Sequence, residues 1–212
     1  RAAAERSWQG RNGLVNEASG AAGREIDFSA VMERLRRIRS EISGHDSAAR
    51  YRDEFGVDVY IGNGAFTGPR GLRVTGDDGD ARELTFSRAV IATGARAAAP
   101  PIPGLDTVAY LTNETLFGLT TLPESIVMIG AGPIGCEMAQ SFARLGSRVE
   151  LVEMSPRVLP REDPDTAEIV QAELVAAGVQ LHLGAAVKRI DPGKGAVATP
   201  GGGGAAGASE ND

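Results

Sequence analysis

The sequence predicts an α/β protein, and three observations carry that prediction. Apolar residues make up 42% and charged residues 24% of the 212 residues, as in globular proteins with a buried core. Residues 125–130 and 148–153 are apolar segments of strand type, and residues 133–145 between them have the apolar spacing of a helix. A glycine-rich turn joins the first of these strands to the helix. Strand, helix and strand in this order predict a βαβ unit with parallel strands.

The part of the chain before this unit is predicted to hold one helix followed by strands. Residues 28–55 have the pattern of an amphipathic helix, with Asp27 as its N-cap. Its apolar stripe consists of Val31, Leu35, Ile38 and Ile42. Strands are predicted at residues 57–61, 71–75, 82–86 and 88–94. Three prolines in residues 97–104 can continue neither structure, so we expect a domain boundary there.

The part after the βαβ unit is predicted to add one more helix and one more strand. The helix covers residues 165–177 and ends at Gly178, and the strand covers residues 179–183. From Asp191 onward the composition turns to Gly, Ala, Pro and Ser, with four consecutive glycines at 201–204. This composition predicts a disordered tail.

Composition and charge exclude several classes of function. The net charge is -6 and aromatic residues make up 5%, so we expect no nucleic-acid partner. The single cysteine, Cys136, rules out an intramolecular disulfide framework, and neither His45 nor His182 has a second ligand at metal-binding spacing. No apolar run reaches the length of a membrane span, and the start of the chain has no signal core. We therefore expect a cytoplasmic location and a chain that starts inside a longer reading frame.

The glycine-rich turn has the pattern of a site that binds a pyrophosphate. It follows an apolar strand, opens a helix, and is succeeded 18 residues later by Glu153 at the end of the next strand. Gly130 permits the tight turn, Gly132 lets the backbone approach a pyrophosphate, and Gly135 allows the helix to pack on the strand. The helix N-terminus adds partial positive charge. The full motif is Gly130, Ala131, Gly132, Pro133, Ile134 and Gly135.

Glu153 favours NAD over NADP as the ligand. Its carboxylate would accept hydrogen bonds from the adenosine ribose and would repel a 2′-phosphate, and Arg148 and Arg157 lie beyond the immediate position. Two alternatives stay open at this point. The glycines could merely shape a βα turn, and the helix dipole does not distinguish NAD from another phosphate ligand.

Three blocks of sequence resemble the pyridine nucleotide-disulfide oxidoreductases, a family of flavoproteins with two dinucleotide-binding domains. They are residues 62–66 with the Ala-Thr-Gly segment that ends at Gly94, the Pro-rich residues 99–104, and residues 127–153 continuing to 161–164. Within this family, the sequences of the three blocks most resemble the mercuric reductase-like and dihydrolipoamide dehydrogenase-like members. The resemblance implies a partial FAD-binding domain in residues 1–96, a linker in 97–124, a partial Rossmann-type NAD-binding domain in 125–190, and a tail in 191–212.

The resemblance also implies roles for individual residues. Ala65, Thr93 and Gly94 match positions that contact FAD, and Val187 matches a residue whose backbone approaches the adenine of NAD. Glu137 matches a glutamate near the flavin and the nicotinamide; the alternative for this residue is an ordinary carboxylate on a helix surface. Cys136 is assigned no redox role, because a lone cysteine on a packed helix is usually a small buried apolar group.

The same resemblance implies an FAD-dependent oxidoreductase that prefers NADH and passes electrons to a small-molecule acceptor that the sequence does not identify. The family's FAD phosphate loop, its redox cysteine pair and its dimerisation domain have no counterpart here, so we assign no catalytic residue. A homodimer is expected only of a full-length relative. The alternative interpretation is a non-catalytic fragment or remnant that retains only dinucleotide binding.

Overall fold

The computed structural model describes residues 26–192. Within this range the chain divides into two compact units. The small unit comprises residues 37–96, and the large unit comprises residues 26–36 together with residues 97–192. Apart from its first two residues, the tail predicted from residue 191 lies outside the described range. The division into an FAD-binding and an NAD-binding domain stays a prediction.

The predicted helix of residues 28–55 forms as two helices rather than one. Helix α1 covers Phe28–His45, and the carboxylate of Asp27 caps it by accepting a hydrogen bond from the Ala30 amide at 3.0 Å. Helix α2 covers Ala48–Asp53. The break falls before Ser47, whose hydroxyl oxygen accepts a hydrogen bond from the Arg50 amide at 3.2 Å and so caps a new helix.

The small unit also contains an antiparallel sheet of three strands in the order β1, β2, β3. The strands are Asn63–Gly68, Gly71–Thr75 and Ala81–Thr85. The predictions for the second and third strands are therefore confirmed to within one residue. The turn between them is closed by a hydrogen bond from the Gly76 amide to the Asp80 carbonyl oxygen at 2.8 Å.

Two predicted strands are wrong, and the reason is the same for both. Residues 57–61 and 88–94 have the composition of strands, but neither segment pairs with any strand of the described structure. Val90 is 90% exposed although its sequence context is apolar. A strand requires a neighbour that satisfies its backbone groups, and local composition does not supply that neighbour.

The large unit has a parallel sheet in the order β4, β5, β6, with a helix after each of the first two strands. Its elements in chain order are β4 (Ser125–Ile129), α3 (Pro133–Leu145), β5 (Arg148–Glu153), α4 (Pro164–Ala176) and β6 (Gln180–Leu183). The predicted bounds of all five are confirmed to within one residue. This βαβαβ arrangement brings the ends of β4 and β5 to the same edge of the sheet, at Ile129 and Glu153.

The core of the large unit lies on one face of this sheet. Val149 and Leu151 of β5 are fully buried, and they cluster with Phe142 of α3 and Leu174 of α4. The ring of Phe28 lies 6.0 Å from that of Phe142, so the first turn of α1 belongs to the same core. None of the described helices is long and apolar enough to cross a membrane.

Candidate dinucleotide-binding site

The turn between β4 and α3 requires glycine at two positions for reasons internal to the fold. Gly130 has a φ of +99°, a left-handed conformation that a residue with a side chain rarely adopts. At Gly135 the conformation is unremarkable, but a Cβ would overlap the carbonyl oxygen of Gly130. Helix α3 therefore approaches the end of β4 as closely as backbone atoms allow.

Gly132 differs from these two glycines because nothing in the fold requires it. Its φ of -72° and ψ of -179° suit any residue, and a Cβ at this position would meet no atom within 4 Å. The missing side chain therefore leaves open space in front of the turn. Helix α3 begins here with Pro133 in its first turn, and no side chain of the described residues caps its positive end by a hydrogen bond.

Glu153 lies at the carboxyl end of β5 and holds the turn from one side. Its Oε2 atom accepts a hydrogen bond from the Ala131 amide at 2.8 Å, and its Oε1 atom accepts one from the Ser155 amide at 2.8 Å. Partial burial raises the pKa of Glu153, but these backbone hydrogen bonds outweigh it and leave the pKa below its ordinary value. The side chain is therefore a carboxylate at neutral pH.

The carbonyl group of Ala131 is held from the other side. It accepts hydrogen bonds from the Leu159 amide at 2.8 Å and from the Cys136 thiol at 3.4 Å. Ala131 itself is 0% exposed. Leu159 has a φ of +47°, the only positive value among the described residues other than glycine. Hydrogen bonds therefore hold both the amide and the carbonyl group of Ala131, and with them the turn.

Sequence analysis missed the role of the loop between β5 and α4, which contributes Ser155 and Leu159 to this arrangement. Residues 154–163 of this loop show neither the apolar periodicity of a helix or strand nor a ligand-binding motif of their own. One signal was present: the loop follows the carboxyl end of a parallel strand, which is where ligands bind in open α/β sheets. That rule identifies the loop but not the residues within it.

Three other predicted residues lie in the large unit. Cys136 is buried on α3, and burial together with the charge of Glu153 raises the pKa of its thiol, against a smaller opposing contribution from the Leu159 amide. Glu137 is exposed on the same helix. Val187 lies in the irregular segment after β6, which is tied to the end of β5 by a hydrogen bond from the Ala185 amide to the Glu153 carbonyl oxygen at 3.0 Å.

The residues predicted to contact FAD all lie in the small unit. Ala65 is exposed on β1, opposite Arg73 of β2. Thr93 and Gly94 are exposed in an irregular segment, where Gly94 has a φ of +68°. Among the described residues, no hydrogen bond joins β1 to this segment. The flavin contacts therefore stay predictions that rest on the resemblance.

The two histidines make other contacts. The Nε2 atom of His182 lies 3.1 Å from the Oε2 atom of Glu150 on the neighbouring strand. The carbonyl oxygen of His45 accepts a hydrogen bond from the Arg50 guanidinium at 2.9 Å. Within residues 26–192, no three His, Cys, Asp or Glu side chains cluster as metal ligands would.

The chain is similar to a known protein family and to several of its characterised members. The sequence profile described as pyridine nucleotide-disulphide oxidoreductase matches residues 2–207. The chain is 37% identical over 166 residues to a mercuric reductase of Bacillus cereus, covering 78% of this chain and 25% of the relative. It is 32% identical over 167 residues to a dihydrolipoyl dehydrogenase of Chlorobaculum tepidum, covering 78% and 35%.

A solved structure has the same fold over most of the chain. It is the Cu(II) complex of the HOCl-induced flavoprotein disulfide reductase RclA from Escherichia coli, with a TM-score of 0.67 and 32% identity. The match covers 80% of this chain and 38% of the Escherichia coli protein. The chain therefore spans less than two fifths of the length of each of these three relatives.

Proposed function

Because the chain belongs to the pyridine nucleotide-disulphide oxidoreductase family, we propose that it binds NADH at the turn between β4 and α3. The proposed activity is that of an FAD- and NAD(P)H-dependent oxidoreductase, in which the bound nicotinamide supplies a hydride to the flavin. This chain would provide the NADH-binding part of that reaction.

The observation that carries the proposal is the open space left by the missing side chain of Gly132. The fold requires Gly130 by its conformation and Gly135 by the lack of space, but neither reason requires a glycine at 132, whose N-cap position Ser, Thr, Asp or Asn would suit at least as well. A ligand gives the reason, since a pyrophosphate must come close to backbone amides that a side chain would shield. The alternative that the glycines only shape the turn accounts for two of the three.

The surrounding residues supply what a dinucleotide needs. Amide groups at the start of α3, including those of Ile134 and Gly135, would donate to the pyrophosphate, assisted by the helix dipole. Glu153 would accept hydrogen bonds from the adenosine ribose. Its two carboxylate oxygens accept the Ala131 and Ser155 amides, and the ribose hydroxyls would join or replace the other donors around Glu153, the Ser155 hydroxyl and the Met154 amide.

We propose a preference for NADH over NADPH on three grounds. Glu153 is ionised at neutral pH and repels a 2′-phosphate. The Arg157 guanidinium already donates to backbone carbonyls of its own loop. Arg148 begins β5 while Glu153 ends it, which separates the two by about 16 Å along the strand. Neither of these two arginines is placed to bind a 2′-phosphate beside Glu153.

The flavin half of the proposal rests on the resemblance alone. Ala65, Thr93 and Gly94 would contact FAD, Glu137 would lie near the flavin and the nicotinamide, and Val187 would approach the adenine of NAD. The described structure shows no flavin cradle around the first three, so we derive no reaction step from them.

A second candidate function is dinucleotide binding without turnover. The observation that favours it is the state of Cys136, the single cysteine of the chain, which is buried and has a raised pKa. The family's dithiol step therefore cannot be assigned to residues of this chain. Flavin absorbance of the purified protein and its rate of NADH oxidation distinguish the two candidates.

Calorimetric titration with NADH, and with NADPH in parallel, tests the proposal. We expect saturable binding of NADH, a weaker response to NADPH, and a loss of about tenfold in NADH affinity in Glu153→Ala. Glu150→Ala is the matched control, because Glu150 lies on the same strand and contacts His182 instead of the turn. A folded chain that releases no heat with either nucleotide would show that the proposal is wrong.

A further inference from the structure

Arg157 makes an unusual set of contacts in the loop between β5 and α4. Its Nη1 atom donates a hydrogen bond to the carbonyl oxygen of Leu159 at 3.4 Å. Its Nη2 atom donates to those of Pro160 and Glu162, each at 2.9 Å. One guanidinium therefore satisfies three backbone carbonyls within six residues of chain, and the loop folds around it.

The contacts of Arg157 help to fix Leu159, whose amide hydrogen-bonds to the glycine turn. Leu159 is held in a left-handed conformation that a leucine rarely adopts. In that conformation its carbonyl oxygen accepts hydrogen bonds from the Glu162 amide at 3.0 Å and from the guanidinium at 3.4 Å, and its amide donates to the carbonyl oxygen of Ala131 at 2.8 Å. The three hydrogen bonds that Arg157 donates to carbonyl oxygens of this loop stabilise the loop and so offset the backbone strain at Leu159.

The glycine turn is held by two chains of contacts from β5 and its loop, in addition to the hydrogen bonds from the Cys136 thiol to Ala131 and from the Gly130 amide to Val152. Glu153 holds the amide of Ala131, and Arg157, acting through Leu159, holds its carbonyl. Without the second chain of contacts, the turn could pivot about the Glu153 hydrogen bond while β4, β5 and α3 stay folded. A pyrophosphate site requires amide positions accurate to a fraction of an ångström, so such a pivot would weaken binding.

We propose that Arg157 is a positioning residue for the dinucleotide site: it shapes the β5–α4 loop so that Leu159 fixes the turn at Ala131. Arg157 does not contact the nucleotide. The inference rests on the proposed function for its effect on NADH, but the link from Arg157 to Leu159 exists in the ligand-free protein and can be measured there.

The test compares Arg157→Gln with Arg157→Lys and with Arg161→Gln. Lysine keeps the charge and reaches one or two of the carbonyls, so partial rescue is expected. Arg161 is the matched control: it is exposed, lies in the same loop, and makes no hydrogen bond within the described residues. Two readouts are taken, the exchange rate of the Leu159 amide in the ligand-free chain by NMR and the Kd for NADH.

We expect Arg157→Gln to speed exchange of the Leu159 amide about tenfold and to raise the Kd for NADH about tenfold. Exchange at Val149, a fully buried residue of β5, should stay unchanged, because a general loss of stability would speed both amides. Arg157→Lys should lie between the wild type and Arg157→Gln, and Arg161→Gln should match the wild type.

Three results would overturn the inference. They are unchanged Leu159 exchange in Arg157→Gln, equal acceleration at Leu159 and Val149, and faster Leu159 exchange with an unaltered Kd for NADH. A wild-type chain that binds no NADH would refute the proposed function instead; the exchange data would then still decide whether Arg157 holds Leu159.

Discussion

Replacing two glycines of one turn by alanine should separate folding from binding. Gly132→Ala places a Cβ where no protein atom lies within 4 Å, in a backbone conformation that alanine adopts freely. We expect the free energy of unfolding to stay within about 0.5 kcal/mol of the wild type, because the smaller number of unfolded conformations of alanine is offset by its lower preference for the N-cap position. The Kd for NADH should rise at least about tenfold, since the new methyl group occupies the space left for the pyrophosphate.

Gly135→Ala, in contrast, should lower the free energy of unfolding. Its Cβ would overlap the carbonyl oxygen of Gly130, so α3 must move away from the end of β4. Overpacking of this kind costs about 2 kcal/mol, which in a unit of this size lowers the Tm by about 10 °C. NADH binding should also weaken, because the displaced helix carries the amides of the site.

The assay for both variants is chemical denaturation followed by circular dichroism, with calorimetric titration of NADH on the same samples. Gly44→Ala is the control for a glycine on a helix, because its Cβ also meets nothing within 4 Å and it lies in α1, outside the proposed site. The reasoning is refuted if Gly132→Ala binds NADH as tightly as Gly44→Ala does, or if Gly135→Ala is as stable as the wild type.

Three further predictions concern single side chains. Glu153→Gln should lower the free energy of unfolding by about 1 kcal/mol at pH 7, because glutamine offers one acceptor oxygen to two amides. Since the pKa of Glu153 is lowered on folding, its stabilisation is full above the ordinary value of 4.5 and is lost as the pH falls through the folded pKa. The unfolding curves of the two proteins should therefore converge only once the pH is below the folded pKa. Iodoacetamide should modify Cys136 at least about a hundredfold more slowly in the native chain than in urea, because the thiol is buried and its pKa is raised; equal rates measured by mass spectrometry would contradict its burial. Phe142→Ala should cost about 3–5 kcal/mol in denaturant unfolding, whereas Phe66→Ala, at an exposed ring, should cost far less, and similar losses would place the core elsewhere.

The βαβ unit was predictable from the sequence because its signals are local. The apolar runs of β4 and β5, the proline that opens α3 and the glycine that ends it at Gly146 act within a few residues of the structure they determine. The bounds of all five elements of the large unit were correct to within one residue for this reason. The glycine motif and the position of Glu153 followed from the same local spacing.

The two strand predictions that failed depended on information from elsewhere in the chain. Residues 57–61 and 88–94 have strand composition, but strand formation also needs a partner, and no local pattern reports whether one is present. The break between α1 and α2 at Ser47 was likewise not predicted from apolar spacing. Its hydroxyl competes with the backbone for a hydrogen bond and starts a second helix where the apolar spacing continues.

The sequence by itself determined the order of the elements from β4 to β6, the glycine turn and the acidic residue at the end of β5, because periodicity and turn chemistry act over short distances. Only the tertiary structure showed that Glu153 bonds to Ala131, that Leu159 holds the other end of the same residue, and that Arg157 shapes the loop between them. The two contacts to Ala131 join segments more than twenty residues apart, whereas the hydrogen bonds of Arg157 lie within its own loop. Such segments meet only after the sheet has formed and the helices have packed on it, so their partners are set by packing and not by spacing.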